Sequence, residues 1–314
     1  METQAKKGMT STAIKVVAIV TMFIDHVAAV FLERQLADNS KLLVKSQNYF
    51  QTIYTIDSIM RLIGRIAFPL FIFLMVQGFV YTKSRLKYAL RLGLFVLISE
   101  IPFDMAFNDS FFDMSYQSVF FTLLLGFLFM CLADFIYQKN IPPILGYIAL
   151  VVNSIGLGYL LMTLLNELIA SFSYSTFEGV SFYAGIALIA AIVAGVQLLI
   201  CRKKPFVELS RLALSIIALA PFMFVASLLK TDYGAGGVLA IAAAYAFRNR
   251  KVLCLAMAII VLTFMNPIEI FSAFGFIPVA LYNGQKGKGM KYFFYAFYPC
   301  HLLIIAVITH FILG

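Results

Sequence analysis

Charge is scarce in this 314-residue chain, and tryptophan is absent from it. Charged residues make up 12% of the sequence, hydrophobic residues make up 62%, and the mean hydropathy is +0.94. Soluble domains carry about 25% charged residues, so this scarcity excludes a soluble protein. The apolar runs continue to Ile312 and are too long and too unalternating for barrel strands. The sequence therefore predicts an all-α, polytopic integral membrane protein with a single domain over 1–314.

Motifs of soluble enzymes and of metal sites are also missing. The four cysteines have no CxxC spacing and lie in apolar runs, which favours small core residues over disulfides or zinc ligands. The sequence has no Walker loop, GxSxG elbow, HExxH motif or GxGxxG after a strand. No metal is therefore predicted, and any reaction must use side chains inside the membrane.

The net charge of +9 comes from short basic clusters at the ends of apolar runs. This placement follows the positive-inside rule, so it predicts contacts with membrane lipids and excludes nucleic acid as a partner. A cytoplasmic N-terminus places five clusters on the inner face: Lys6/Lys7, Lys83/Arg85/Lys87/Arg91, Arg202/Lys203/Lys204, Arg248/Arg250/Lys251 and Lys286/Lys288/Lys291. The outer face then collects acids such as Glu33, Asp38, Asp57, Asp109, Glu167 and Glu269. We expect a multi-pass protein of a bacterial cytoplasmic (inner) membrane.

Eleven apolar runs are candidate membrane spans. They are 12–32, 62–81, 86–105, 116–137, 142–165, 180–201, 206–229, 234–247, 252–265, 268–283 and 292–312. A hydrocarbon core of about 30 Å needs about 20 helical residues, and the runs 234–247, 252–265 and 268–283 are shorter than that. The sequence thus predicts about 10 to 11 transmembrane helices in one bundle, with 33–57 as the longest extracytoplasmic loop.

The first span, Lys15–Phe31, contains ionisable residues at membrane depth, where they are costly and are functional candidates by default. A neutral imidazole near pH 7 accepts a proton, so His26 is a candidate general base, or alternatively a bridge between helices. Lys15 lies about 16 Å along the same helix face. Asp25 points about 100° away from His26, so it is expected to pair with an arginine of the second span or to be the base itself.

Arg61 and Arg65 lie one turn apart at the predicted outer start of the second span. Two cations there oppose the helix dipole, so they need partners, and Asp57 supplies one. Two interpretations stay open: a clamp for phosphate or a developing oxyanion, and interface anchors paired with Asp25, Glu100 or Asp104.

Further candidates lie at the ends and in the middle of other spans. Glu100 and Asp104 flank Pro102, and they either line an acceptor site or simply end the third span. His301 is near mid-depth of the last span, as a catalytic partner or as a satisfied helix bridge. Lys83, Arg85, Lys87 and Arg91 either hold a phosphorylated cofactor or anchor the topology.

Ordered motifs over nearly the whole chain resemble the TraX family. They are KxxAxxTMxIDHxxAVF, RxIGRIAFPLFIFLxxxGF, KxRxKYALRL, LISEIPFDxAF, VFFTLLLG, DYGxxGVL and FYPxHLLI. The namesake of that family acetylates the N-terminus of conjugative pilin. The resemblance implies an acetyl-CoA-dependent member of the transmembrane acyltransferase group, many of which have ten residues between a basic residue and a histidine in the first span. Lys15 and His26 have that spacing.

The resulting expectation is an N- or O-acetyltransferase that uses cytoplasmic acetyl-CoA. Lys15, Lys83, Arg85, Lys87 and Arg91 would meet the donor. His26, supported by Asp25, would deprotonate an extracytoplasmic acceptor, which is a peptide N-terminus, an amino sugar or a glycan. Arg61 or Arg65 would stabilise the oxyanion, Glu100 and Asp104 would bind the acceptor, and His301 would take part second. A proton-coupled transporter and an envelope scaffold are the competing interpretations.

Overall fold

The structure is a computed structural model that describes residues 7–37, 47–172, 177–201 and 205–313. The described residues are 83% helical and contain no strand. The only β-type pairings among them are two isolated bridges, Met9 with Tyr282 and Gln117 with Thr231. This confirms the predicted all-α, multi-pass membrane fold class.

The chain separates into two compact units, one formed by 1–128 and 222–314 and the other by 129–221. The first unit contains α1 (Ser11–Val27), a π-helical turn (Ala28–Leu32), α2 (Glu33–Ala37), α3 (Gln47–Gly64), α4 (Ala67–Tyr81), α5 (Arg85–Phe107), α10 (Gly234–Ala246), α11 (Lys251–Met265), a 3-10 helix (Pro267–Gly275), α12 (Phe276–Ala280) and α13 (Lys291–Leu313). The second contains α7 (Pro143–Phe172) and α8 (Gly179–Cys201). Both units share α6 (Val119–Gln138) and α9 (Phe206–Leu228). A single domain over 1–314 stays a prediction.

Seven described stretches are long and apolar enough to cross a membrane. They are Ser11–Ala37, Asn48–Tyr81, Val119–Gln138, Pro143–Thr163, Gly179–Ile200, Phe206–Leu228 and Phe293–Leu313. The predicted span 86–105 corresponds to α5, which is not among them because it carries five charged side chains. The three short predicted spans are short helices here as well. The count of ten or eleven crossings stays a prediction.

The segment 33–57, predicted as the longest extracytoplasmic loop, is helical at both ends, and its position outside the membrane stays a prediction. Residues 33–37 form α2 and residues 47–57 belong to α3, so only 38–46 separates the two helices, and that segment lies outside the described residues. The start of α3 is polar but still helical, and the hydroxyls of Thr52, Thr55 and Ser58 are satisfied within the helix, since they donate to the carbonyls four residues earlier. Lys6, Arg202, Lys203 and Lys204 of the predicted basic clusters also lie outside the described residues.

Helices α1, α5 and α13 meet in one buried apolar cluster. Ile19 and Met22 of α1 pack with Phe103 of α5 and with Tyr298 and Leu302 of α13. This contact places the second half of α1 beside the middle of α13. The start of α1 is fixed separately, because backbone bonds join it to the loop after α12, from Met9 N to Leu281 O at 2.8 Å and from Ser11 N to Gln285 O at 2.8 Å.

Candidate functional site

Asp25 accepts hydrogen bonds from two arginines. Its Oδ2 is 2.7 Å from Nη1 of Arg61, and its Oδ1 is 3.2 Å from Nη2 of Arg65. Arg61 also reaches Glu33 at 3.1 Å through Nε, and Arg65 reaches Glu269 at 3.0 Å through Nη1. These five side chains form one connected ionic network, which we call the ion-pair network.

The sequence predicts the two arginines at the outer start of a span, and the structure differs. Arg61 is in the last turn of α3, and Arg65 lies in the two-residue link before α4, inside the apolar stretch Asn48–Tyr81. The helix breaks here because Pro69 has no N–H to donate to the carbonyl of Arg65. Among the predicted partners, Asp25 is found with both arginines, while the ion pairs of Arg61 go to Asp25 and Glu33 rather than to Asp57.

Gly64 lets Asp25 reach both arginines. A Cβ built on Gly64 would lie 2.2 Å from Oδ1 and 2.3 Å from Cβ of Asp25, which is closer than real Cβ contacts. Asp25 therefore packs directly on the backbone of α3 between Arg61 and Arg65. The motif Arg61-Leu-Ile-Gly64-Arg65 thus supplies both cations and the opening for their carboxylate.

A π-helical turn begins two residues after His26. Ala28–Leu32 has this geometry, and the N–H of Glu33 bonds to the carbonyl of Ala28, five residues earlier. Single π-turns inside α-helices frequently occur at functional sites. In this chain the turn stands between Asp25 and Glu33, the two acids that share Arg61.

His26 contacts a second histidine, from the last helix. Its Nδ1 is 2.7 Å from Nε2 of His301, and the two ring planes are nearly parallel, at 3°. Both side chains are buried, and Nδ1 of His301 is 2.7 Å from the carbonyl oxygen of Phe297, one turn earlier on α13. His26, His301 and this carbonyl form a connected array, which we call the histidine pair with its carbonyl.

The carbonyl fixes the protons of the neutral pair. A carbonyl oxygen only accepts, so Nδ1 of His301 carries the proton in that contact. In a neutral ring Nε2 of His301 is then an acceptor, and Nδ1 of His26 must donate to it. Nε2 of His26 is left as the nitrogen with a free lone pair. The array therefore orients His26 as a base, and a proton taken by His26 is stabilised by His301.

Aromatic rings surround both imidazoles. Phe107 and Tyr298 meet the ring of His26 edge-on, each at a centroid distance of 5.8 Å. Phe23 and Phe297 pack on His301 at 6.1 and 4.7 Å. Such a wall keeps water away from the pair and favours its neutral form.

A cavity of about 210 Å³ opens beside Arg65, on the side of Glu269. It is lined by Arg65, Asp232, Tyr233, Gly236, Leu262, Met265, Asn266 and Glu269, and we call it the Glu269 cavity. The 3-10 helix that carries Glu269 starts with Asn266 as its cap, whose Oδ1 accepts from the N–H of Ile268 at 3.3 Å. Pro267 follows at the first position, where it needs no donor.

The turn before α10 brings Asp232 and Tyr233 to this cavity. The Tyr116 hydroxyl donates to Oδ1 of Asp232 at 2.9 Å, and burial raises the pKa of Asp232 to about 6, so this carboxyl is mainly ionised near neutral pH. Tyr233 has φ of 63°, unusual for a bulky residue, and stacks on Phe68 at 3.8 Å. The hydroxyl of Thr122 donates to the carbonyl of Asp232 and holds the turn.

Glu100 and Asp104, the predicted acceptor-binding residues, have local partners. The Ser118 hydroxyl donates to Oε2 of Glu100 at 2.9 Å. The two carboxylate oxygens of Asp104 accept from Nδ2 of Asn108 at 3.1 Å and from the N–H of Asp113 at 2.8 Å. Asp104 therefore folds the turn after α5, and acceptor binding by either acid stays a prediction.

The five predicted donor-binding residues lie near the starts of α1 and α5. Lys15 is half-buried with Nζ 5.5 Å from the ring centre of Phe294. Lys83 precedes α5, and Arg85, Lys87 and Arg91 lie in its first two turns. Their contact with acetyl-CoA stays a prediction. Among the described residues no group of three or more His, Cys, Asp or Glu side chains is arranged to hold a metal ion.

Sequence reasoning missed several residues of the site. Glu269 was counted only as an outer-face acid, and Asp232 and Tyr233 were quoted within the motif DYGxxGVL without a role. The available signal was an acid two residues after Asn266-Pro267 in an apolar region, a pattern that marks the first turn of a short capped helix.

Comparison with known proteins adds the family. The family model described as TraX protein matches residues 10–218 and 168–309, which is nearly the whole chain. Neither the search of curated proteins nor that of solved structures gave a match.

Proposed function

We propose that this chain, which belongs to the TraX family, is a membrane-embedded acetyltransferase that uses acetyl-CoA and acts on an amine or hydroxyl acceptor. The family is associated with pilin acetylation, which is compatible with this chemistry. The acceptor of this chain is proposed only as an extracytoplasmic amine or hydroxyl, without carrying over the pilin of the namesake. The protein would lie in a bacterial cytoplasmic membrane with its N-terminus inside.

The observation that carries this proposal is the histidine pair with its carbonyl. Nε2 of His26 takes the proton of the acceptor N–H or O–H as the acceptor atom attacks the thioester carbonyl of the donor. The new C–N or C–O bond forms, the C–S bond breaks, and the proton passes from His26 to the departing thiolate. His301 fixes the tautomer of His26 and shares the positive charge, so it is a positioning residue.

Asp25 and the arginines have a different part in this proposal. Asp25 contacts Arg61 and Arg65 rather than the ring of His26, so we assign to His301 the supporting role that was predicted for Asp25. Both guanidinium groups already pair with carboxylates, which favours their reading as anchors over a free anion clamp. Stabilisation of the oxyanion by either arginine stays a prediction.

The test uses purified protein in nanodiscs with labelled acetyl-CoA and a panel of amine and sugar acceptors. We expect His26→Ala to lower acetyl transfer about 10²- to 10⁴-fold, the usual contribution of a general base. His310→Ala is the matched control, because this exposed histidine lies at the far end of α13, the helix that carries His301. Full activity in His26→Ala would contradict the proposal.

His301→Gln tests the positioning role separately. Without the imidazole, His26 loses its fixed tautomer, so we expect a smaller loss of kcat with KM nearly unchanged and a shifted pH profile. A kcat and pH profile equal to those of wild type would remove His301 from the mechanism. If acetyl-CoA neither binds nor reacts in wild type, while His26→Ala alters the pH dependence of proton flux in vesicles, the chain is a proton-coupled transporter.

A further inference from the structure

The Glu269 cavity contains a buried carboxylate oxygen without a partner. Glu269 is 3% exposed, and its Oε1 binds Arg65 while its Oε2 has no hydrogen-bond partner among the described residues. Leaving a buried charged oxygen unsatisfied is costly, more so than for a neutral group. A group that donates to this oxygen from the cavity would recover that cost.

The charge around the cavity selects the sign of such a group. Arg65, the only cation among the described residues that line it, already contacts Asp25 and Glu269. Asp232 adds a second carboxylate to the lining. The lining thus holds two carboxylates and one guanidinium group, so it has a formal charge of minus one when all three are ionised. The cavity therefore favours a cation and disfavours an anion.

The size and the walls select the kind of cation. A bare metal ion requires oxygen ligands on all sides at about 2.0–2.6 Å. A space of about 210 Å³ is far larger than that, since one water occupies about 30 Å³. Leu262 and Met265 give apolar wall, and Gly236 adds bare backbone. A charged head on an alkyl chain matches this division between an acidic side and an apolar side.

We propose that the Glu269 cavity binds a small primary alkylammonium group. The ammonium donates to Oε2 of Glu269 and to the carboxylate of Asp232, and the alkyl chain packs on Leu262 and Met265. The binding site is separate from the histidine pair, and binding does not depend on acetyl transfer taking place.

A ligand panel on the wild-type chain in nanodiscs tests the proposal first. n-Butylammonium chloride, 1-butanol and sodium butyrate are titrated by calorimetry at matched ionic strength. We expect saturable binding and a raised thermal midpoint with butylammonium alone. Equal responses to butylammonium and butanol, or no saturable binding of butylammonium, would overturn the proposal.

Three variants then locate the ligand. Glu269→Gln should weaken butylammonium binding about tenfold or more, the size of a lost charged hydrogen bond. Leu262→Trp should block binding with every charge retained. Glu33→Gln is the matched control, since it removes an acid of the same network outside the cavity lining, and it should keep affinity within a few-fold.

The variants exclude the remaining explanations. Equal weakening by Glu269→Gln and Glu33→Gln would show a diffuse charge effect and contradict a site at Glu269. Should Glu269→Gln fail to fold, Leu262→Trp decides, because unchanged butylammonium binding in that variant places the ligand elsewhere and overturns the proposal.

Discussion

Asp25 and His26 are neighbours on one helix, yet they enter opposite kinds of surroundings. Asp25 lies among arginines and acids whose groups satisfy one another through charged hydrogen bonds. His26 lies among aromatic rings, with a single polar contact to another neutral ring. The first arrangement is held by charged hydrogen bonds between two arginines and three carboxylates, and the second retains a basic nitrogen with a free lone pair. A rotation of about 100° around one helix thus separates the residue that holds helices together from the residue suited to proton transfer.

Removing Asp25 from the ion-pair network should have the largest effect on folding. Asp25→Ala leaves Arg61 and Arg65 facing each other across a space without their shared carboxylate. We expect a loss of about 3 kcal/mol or more in the free energy of unfolding, as for a broken buried ion pair. Unfolding in mixed micelles measures it, with His26→Ala as the contrast, which should stay folded. Equal destabilisation by the two variants would contradict the division between the two residues.

Gly64→Ala should also disturb the ion-pair network, with a smaller effect on stability. The added methyl overlaps Asp25, whose main chain and side chain must move away from both arginines. Overpacking of this kind costs about 1–3 kcal/mol. Gly93→Ala is the control, since a Cβ there has nothing within 4 Å. The thermal midpoints of the two variants give the measurement, and equal midpoints would show that Asp25 does not need the bare backbone.

Glu33→Gln should have the smallest effect and sharpens the comparison. The Glu33 side chain is 49% exposed, so its ion pair with Arg61 is screened by solvent. Pairs of this kind contribute about 0–1 kcal/mol. A loss as large as that of Asp25→Ala, measured in the same unfolding experiment, would show that the network acts as one indivisible unit.

Much of the ion-pair network could be predicted from the sequence. Ionisable residues in apolar runs are few, and the angle between Asp25 and His26 already favoured an arginine of the second span as partner for Asp25. The structure has that pair. Glu269 was not reachable in this way, since 204 positions separate it from Arg65 and a sequence contains no distance between spans.

The contact between His26 and His301 could be predicted only in part. His301 was named as a second participant, but which face of α13 meets α1 depends on packing of residues such as Met22 and Leu302. The extent of α3 was missed for another reason. Its first turns are polar, and hydropathy undervalues a helix whose hydroxyls bond to its own carbonyls.

The π-helical turn at Ala28–Leu32 changes the phase of the first helix. In an uninterrupted α-helix each residue advances about 100°, so Glu33 would lie about 80° around the axis from Asp25. The π turn absorbs one extra residue, so the angular difference shrinks to about 20° and both acids meet Arg61. One additional residue in this segment thus rotates the direction of every side chain that follows it on the helix. The helix therefore presents a different face to its neighbours before and after the turn.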